Sequence, residues 1–204
     1  MLDTIMRPII DPPLNKAGEV IARFGVPANT VTVTGFTFGM IAAVCVANSL
    51  FIAGLILLLL NRLCDGLDGG VARFVGISDL GGFLDIVLDF IFYASIPLAF
   101  CIARPEHALH GAFLLFCFMA CACSFLAYAI MASKRQKTTT ARGQKSLYYL
   151  GGICEGTETF FVLALICLIP EHFNLIALIY GALCLITAAG RIFQAILDFK
   201  EPTA

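Results

Sequence analysis

Long apolar stretches separated by short polar segments make up most of the chain, and their lengths suit a lipid bilayer. A helix that crosses the hydrocarbon core needs roughly 20 apolar residues. Six stretches come close to this length, at about residues 29–48, 50–66, 80–103, 108–132, 147–169 and 173–196. The pattern predicts an all-α, polytopic membrane protein with six transmembrane helices.

Residues 2–24 have a different pattern, which is typical of a helix lying in the membrane interface. Apolar residues recur there at helical spacing and charged residues stand between them: Leu14, Ala17, Val20, Ile21 and Phe24, with Lys16, Glu19 and Arg23. We predict a juxtamembrane amphipathic helix in this segment, interrupted at Pro8, Pro12 and Pro13.

Composition supports a membrane protein and weakens other classes. Of the 204 residues 60% are hydrophobic and 13% are charged, and the mean hydropathy is +0.93. A soluble domain of this size needs more polar surface. The net charge of −1 gives no reason to expect nucleic acid as a partner. We predict one membrane domain over residues 1–204.

The distribution of basic residues predicts the topology. Basic side chains accumulate on one side of the predicted spans: Arg7, Lys16, Arg23, Arg62, Arg73, Lys134, Arg135, Lys137, Arg142, Lys145, Arg191 and Lys200. Of the Lys and Arg residues, only Arg104 falls on the other side. Loops rich in Lys and Arg stay in the cytoplasm. Both termini and the turn between the second and third spans are therefore predicted to be cytoplasmic.

That turn, within residues 61–90, carries an unusual number of aspartates. Asp65 and Asp68 are three residues apart, and Asp85 and Asp89 are four apart. Such spacings place side chains on one helix face, and a glycine-rich hairpin between the pairs would bring them together. Several carboxylates cannot all stay ionised in a low-dielectric site without cations. Hard divalent ions such as Mg²⁺ would resolve this conflict and would also clamp phosphates.

Other interpretations of the aspartates stay open. They could be ordinary acids at helix ends, with Asp79 an N-cap and Asp65 exposed. They could also form the relay of a cation or proton transporter, or belong to a silent scaffold. Relay acids would be spread along a path through the membrane, whereas these cluster at one interface beside glycines and Arg73.

The same segment resembles the CDP-alcohol phosphotransferase family, whose pattern is D-x2-D-G-x2-A-R-x7-8-G-x3-D-x3-D. All eight fixed positions are present: Asp65, Asp68, Gly69, Ala72, Arg73, Gly81, Asp85 and Asp89. The stretch "VPANTVTVTGF" is similar to the Pro-Asn-x-x-Thr segment of the family, although an alanine separates Pro27 from Asn29. This second match adds Asn29 and Thr32 to the candidate residues.

The resemblance implies an enzyme of phospholipid biosynthesis. Such enzymes bind a CDP-linked donor, commonly CDP-diacylglycerol, transfer its phosphatidyl group to an alcohol and release CMP; another CDP-alcohol would donate its own substituted phosphate in the same way. Asp65, Asp68 and Asp85 would hold two Mg²⁺ or Mn²⁺ ions and Asp89 would complete the site. Asp85 and Asp89 would be catalytic, with Asp89 the favoured general base. Asn29, Thr32, Gly69, Ala72, Arg73 and Gly81 would bind the nucleotide part of the donor.

The resemblance also implies a homodimer, and the sequence is similar to small bacterial inner-membrane members of the family. The runner-up within the enzyme class uses a water-soluble CDP-alcohol as the donor and a lipid as the acceptor.

A second polar cluster, "KSLYYLGGICEGTETFF", is a candidate pocket for the acceptor alcohol. Glu155, Glu158 and Tyr148 would favour a cationic amino alcohol or a neutral polyol. Alternatively, one glutamate pairs with a basic residue such as Arg191 and only orders the bundle. The basic segment 134–145 could also hold an acceptor phosphate, or only attract anionic lipids. Glycerol phosphate, inositol phosphate, serine and choline all stay open as acceptors.

Overall fold

The computed structural model describes residues 2–135 and 152–200, with α1 side chains from Pro8 onward except that of residue 9. Every regular element in these two ranges is helical, which confirms the all-α class. The α-helices are α1 (Leu2–Arg23), α2 (Ala28–Ala47), α3 (Phe51–Val75), α4 (Asp79–Ala103), α5 (Ala108–Lys134), α6 (Gly156–Leu168) and α7 (Phe173–Phe199). Short 3₁₀ turns at Pro105–His107 and Pro170–His172 lead into α5 and α7.

Four of these helices, α2, α4, α5 and α7, are long and apolar enough to cross a bilayer. Large apolar side chains such as Val44, Ile102 and Ile186 are exposed on them, as expected where lipid replaces water as the surrounding solvent. The other two predicted spans differ from this group. The second half of α3 carries Arg62, Asp65 and Asp68, and the described helix α6 has 13 residues.

The apolar core that holds the bundle together extends from Phe92 on α4 to the end opposite the aspartates. The rings of Phe100 on α4 and Phe173 on α7 stack with their centroids 4.0 Å apart. Beside them Arg104 donates two hydrogen bonds to Glu171, at 2.7 and 3.0 Å. This ion pair joins the α4–α5 connection to the α6–α7 connection and fixes one end of the bundle.

The glycine-rich segment between the aspartate pairs is mostly helical, whereas the predicted spans 50–66 and 80–103 left it as a turn. Helix α3 continues to Val75 and α4 begins at Asp79, so only residues 76–78 connect them. Gly76 has a φ of +121°, which other residues rarely adopt. Gly70 permits close helix packing, because a Cβ on it would lie 2.6 Å from the carbonyl oxygen of Leu14.

The first helix is continuous, so the predicted interruption at its prolines is wrong. Pro8, Pro12 and Pro13 lie within α1 and are exposed. Water or lipid headgroups can therefore bind the carbonyl groups that proline leaves without a partner. Helix α1 also packs against α3, where Arg73 Nε donates to Asn15 Oδ1 at 2.7 Å and a Cβ on Gly18 would lie 2.5 Å from the backbone of Gly70.

Two further helix starts differ from expectation. The N-cap of α4 is Ser78, whose hydroxyl accepts from Gly81 N at 3.1 Å, and Asp79 is the first helical residue. Helix α6 begins at Gly156, whereas a span from 147 was predicted; residues 147–151 lie outside the described ranges. Residues 152–155 are not helical because their backbone is bound elsewhere: Cys154 N donates to Thr187 Oγ1 at 3.1 Å.

Candidate active site

A small polar recess lies where α2, α3 and α4 meet. Its lining comprises Thr32, Gly35 and Phe36 from α2, Asn61, Asp65 and Asp68 from α3, and Asp85, Leu88 and Asp89 from α4. The structure thus brings all four aspartates to one place. Each pair has helical spacing on its own helix, and the short connection at 76–78 turns α4 back along α3.

Three of the aspartates form a compact oxygen cluster. One carboxylate oxygen from each of Asp65, Asp68 and Asp85 can be chosen so that all three lie within 4.8 Å of one another. Asp65 also pairs with Arg62 at 2.7 Å, and its side chain is 20% exposed, so it is not the freely exposed acid of the alternative interpretation. Hard carboxylate oxygens on two facing helices are the ligands that Mg²⁺ and Mn²⁺ prefer.

Asp68 supplies the direct test of whether a cation fits this cluster. The residue is 7% exposed, and its Oδ2 is buried without a hydrogen-bond partner among the described residues. A buried carboxylate oxygen without a donor is costly. A divalent cation held between the three carboxylates would satisfy this oxygen and balance the negative charge, so the residues fit a metal.

Asp89 lies on the same recess beside the three-carboxylate cluster and has a partner of its own. The hydroxyl of Tyr93 donates to Asp89 Oδ2 at 3.1 Å. Tyr93 is one helical turn beyond Asp89 on α4. Sequence reasoning missed this residue, although the spacing of four residues would have indicated it.

Asn61 is a second residue that sequence reasoning missed. It is 6% exposed, and its Nδ2 donates to the carbonyl oxygen of Gly35 at 2.9 Å. Gly35 lets α2 approach α3 closely, because a Cβ there would lie 2.7 Å from Cys64 Cβ. This contact between helices fixes the wall of the recess opposite Asp85. The sequence did contain a signal for this role, because Asn61 is a polar residue that follows a long apolar run in α3.

The residues predicted for nucleotide binding fall into two groups. Thr32 lines the recess, and Asn29 Oδ1 lies 3.2 Å from where a Cβ on Gly81 would be. Gly69, Ala72 and Arg73 lie on the last turns of α3, where Arg73 Nη1 is 3.2 Å from the position of a Cβ on Gly69. The first group therefore borders the carboxylates, and the second extends from them toward α1.

Glu155 and Glu158, two of the three residues predicted for the acceptor, lie at the start of α6, next to the recess. A Cβ on Gly156 would be 3.5 Å from the hydroxyl of Tyr93, so the beginning of α6 adjoins the partner of Asp89. Glu155 is buried, and its Oε1 accepts from Gly152 N at 3.0 Å. Glu158 is half-buried in the first turn.

Two further expectations concern residues around this cluster. Tyr148 and the basic residues Lys137, Arg142 and Lys145 lie outside the described ranges. Arg191, which the sequence offered as a structural partner of the glutamates, donates to the carbonyl oxygen of Cys121 at 3.0 Å.

Helices with lipid-compatible surfaces around a carboxylate cluster suited to divalent cations define an integral-membrane enzyme that handles phosphates. The family model for CDP-alcohol phosphatidyltransferases matches residues 26–191. The chain belongs to the CDP-alcohol phosphatidyltransferase family, which confirms the resemblance read from the sequence. It is therefore a divalent-metal-dependent membrane transferase of phospholipid synthesis that uses a CDP-linked donor and an alcohol acceptor.

Two relatives show how far the similarity extends. The chain is 44% identical over 202 residues to the inner membrane protein YnjF of Escherichia coli, covering 98% of each chain. It is 36% identical over 93 residues to an archaetidylinositol phosphate synthase of Pyrococcus horikoshii, covering 45% of this chain and 49% of the relative.

Solved structures share the fold. The phosphatidylinositol phosphate synthase PgsA1 of Mycobacterium tuberculosis, with CDP-DAG bound, superposes with a TM-score of 0.69 at 18% identity, covering 90% of this chain and 93% of that one. Another structure of PgsA1, in complex with manganese and citrate, has a TM-score of 0.67.

Proposed function

We propose that this protein transfers a phosphatidyl group from CDP-diacylglycerol to the hydroxyl of a small alcohol and releases CMP. The observation that carries the proposal is the cluster of Asp65, Asp68 and Asp85, with the buried Asp68 Oδ2 lacking a hydrogen-bond partner among the described residues. A lipid-linked donor suits this location, because the cluster lies within helices whose outer surfaces are apolar.

The aspartates have two kinds of task in this proposal. Asp65, Asp68 and Asp85 would hold the divalent ions, while Arg62 limits the negative charge around Asp65 through its 2.7 Å ion pair. When bound, the ions neutralise the donor diphosphate and polarise the phosphorus that the acceptor attacks. Asp89 accepts the proton of the acceptor hydroxyl.

Tyr93 acts as a positioning residue for this base. Its hydrogen bond to Asp89 Oδ2 fixes the orientation of the carboxylate and leaves Oδ1 for the acceptor. Partners of this kind hold the groups around metal sites in their active geometry.

Donor recognition is assigned to the two groups of residues that flank the carboxylates. Asn29, Thr32 and Gly81 would bind the part of the nucleotide nearest the recess. The glycine and alanine at Gly69 and Ala72 leave room on α3 for the diphosphate, and Arg73 would pair with it. Asn15, which binds Arg73, would hold that guanidinium in place.

The acceptor would bind between the recess and the start of α6. Support comes from the start of α6, where a Cβ on Gly156 would lie 3.5 Å from the hydroxyl of Tyr93. Glu158 follows two residues later in the first turn of that helix. Acidic side chains there favour a cationic amino alcohol or a neutral polyol over a phosphorylated alcohol.

The arrangement in the membrane is part of the proposal. We infer six spans, formed by α2 to α7, with α1 in the interface and both termini and the recess on the cytoplasmic side. The basic residues at the ends of α5 and α7, including Lys134 and Lys200, support this topology. The whole chain would be one domain, and by family resemblance the enzyme would be a homodimer in the inner membrane.

The deciding experiment measures CMP release by the purified chain in lipid micelles. CDP-diacylglycerol and Mg²⁺ or Mn²⁺ are supplied with a panel of amino alcohols, polyols and phosphorylated alcohols. CMP that appears with one acceptor and disappears with EDTA supports the proposal and identifies the product. Turnover only with a water-soluble CDP-alcohol and a lipid acceptor would reverse the assignment of donor and acceptor. Undiminished turnover in EDTA would refute the metal site.

A further inference from the structure

A second cavity lies on the outer surface of the bundle, between the C-terminal halves of α5 and α7. It has a volume of about 500 Å³, within the roughly 300–1,000 Å³ that is common for small-molecule sites. Its lining comprises Ser124, Ala127, Tyr128 and Met131 from α5, and Arg191, Ile192, Ala195, Ile196, Phe199 and Lys200 at the end of α7. We call it the α5–α7 groove. No residue lines both this groove and the aspartate recess.

The walls of the groove suit a hydrocarbon chain. Ala127, Met131, Ala195 and Ile196 carry no charge, and the small alanines create the depression between the two helices. Ile196 is 57% exposed, so the groove opens to the lipid phase and not to the interior of the bundle.

Arg191 gives the groove a polar inner end. The residue is 6% exposed, and its guanidinium lies over the ring of Phe125 at 5.4 Å. Nη1 donates to the carbonyl oxygen of Cys121, but Nε is buried without a hydrogen-bond partner among the described residues. Because Nε has no accessible surface, a ligand in the groove does not reach it. The guanidinium also lies against the start of α6, with Nη2 3.2 Å from where a Cβ on Gly152 would be. Arg191 therefore contributes positive charge to this end of the groove without a direct hydrogen bond to an occupant.

The opposite end of the groove is also basic. Lys200 lines it nine residues after Arg191, which is about 13 Å along an α-helix. Arg135 lies beside it, 5.2 Å from the ring of Phe199, where its guanidinium donates to the carbonyl oxygens of Asp198 and Phe199 and adds its positive charge to this end. The only carboxylate near this end within the described residues, Asp198, accepts hydrogen bonds from Tyr128 and Gln194. Basic grooves between helices at the cytoplasmic face attract anionic lipid headgroups.

We propose that the α5–α7 groove binds one anionic phospholipid. Its phosphate lies at the Lys200 and Arg135 end, and an acyl chain covers the wall formed by Ala195 and Ile196. The charge at the rim selects the anionic headgroup, and the apolar wall excludes water-soluble phosphates as occupants. The groove shares no lining residue with the aspartate recess, so lipid binding can be measured without the transfer reaction.

The test measures lipid binding to the purified full chain in detergent by native mass spectrometry. EDTA is present and the CDP-linked donor is absent, so the result does not depend on the proposed reaction. We expect phosphatidylglycerol to bind at least about fivefold more tightly than phosphatidylcholine, the effect of one cation near an anionic headgroup.

Three variants locate the binding. Ala195→Phe fills the groove and should abolish bound lipid, whereas Ala182→Phe, at an exposed position elsewhere on α7, should leave binding unchanged. Lys200→Gln should reduce the preference for phosphatidylglycerol without removing lipid.

Equal binding of the two lipids, or full binding in Ala195→Phe, would overturn the proposal. A dimer that becomes a monomer in Ala195→Phe, read from the same spectra, would also overturn it, because the groove would then be covered by a second copy of the chain.

Discussion

The α3–α4 region and the start of α6 both carry two acids three residues apart, yet the two pairs are used differently. Asp65 and Asp68 lie within the continuous helix α3 and face the same recess. Glu155 precedes α6 in an extended conformation, with φ −120° and ψ −176°. Its carboxylate turns back to accept from Gly152 N, while Glu158 lies on the helix. A spacing of three indicates a shared face only when both residues are helical.

The same comparison separates a binding site from a structural contact. In the recess the Asp68 Oδ2 has no hydrogen-bond partner among the described residues. At the start of α6 the backbone N–H of Gly152 donates to the carboxylate of Glu155. Thr159 Oγ1 donates to the backbone carbonyl oxygen of Glu155 at 2.8 Å. A buried carboxylate oxygen without a hydrogen-bond donor, as in Asp68, indicates a ligand site. A carboxylate that accepts from the backbone, as in Glu155, indicates a structural contact.

The largest expected effect follows from Asp85→Asn. Removing one charge from the three-carboxylate cluster should lower kcat by at least about 10²-fold, the scale on which loss of one preorganised electrostatic contact acts. CMP release measures the effect, and unchanged elution and thermal unfolding in detergent show that the variant is folded. Asp79→Asn, at the exposed start of α4, is the matched control and should retain activity. Retained turnover in Asp85→Asn would refute the metal site.

A smaller effect is expected from Tyr93→Phe, which removes the hydrogen bond to Asp89 but keeps the ring and its contact with Phe92 at 5.6 Å. Loss of a positioning partner typically costs about 10–100-fold. The loss should fall on kcat, with KM for donor and acceptor unchanged. Phe92→Leu is a packing control that should lower stability and leave kcat per folded molecule intact. An equal fall in kcat and rise in KM would contradict a positioning role.

The pair at α6 can be separated by two matched substitutions. Glu158→Gln should raise KM for the acceptor by about tenfold, as expected when one charged hydrogen bond of roughly 1.5–3 kcal/mol is lost, and leave KM for the donor unchanged. Glu155→Gln should instead lower thermal stability, because the backbone contact at Gly152 weakens. If both variants change acceptor KM equally, the distinction between the two glutamates fails.

The smallest expected effect concerns the contact between α1 and α3. Gly18→Ala forces a methyl group toward the backbone of Gly70, and such overpacking costs about 1–3 kcal/mol. The midpoint of thermal unfolding should fall, and donor affinity should fall slightly because α1 supports Arg73. Gly190→Ala, where a Cβ meets nothing within 4 Å, is the control and should be neutral or stabilising. A lower midpoint in the control as well would show that the assay does not report on helix packing.

Part of the fold was predictable because its signals are local. Apolar length defined the elements from α2 to α5 to within a few residues at most ends. The C-terminal end of α3 was not predicted, because glycines such as Gly69 and Gly70 favour turns when no tertiary contact is known. Their helical state depends on α1, whose Leu14 and Gly18 pack so closely that only a residue without a side chain fits at position 70. Such a contact between distant segments has no signal in either segment alone.

By itself the sequence determined which residues carry the chemistry: four aspartates at helical spacing, within the complete family pattern from Asp65 to Asp89, predicted a divalent-metal site. Only the tertiary structure decided which oxygens meet. It brings Asp65, Asp68 and Asp85 together and pairs Asp89 with the hydroxyl of Tyr93. It also binds the carboxylate of Glu155 to the backbone before α6. The physical reason is that spacing along one helix fixes a face, whereas distances of a few ångströms between helices depend on how closely their backbones approach, which Gly35 and Gly70 control.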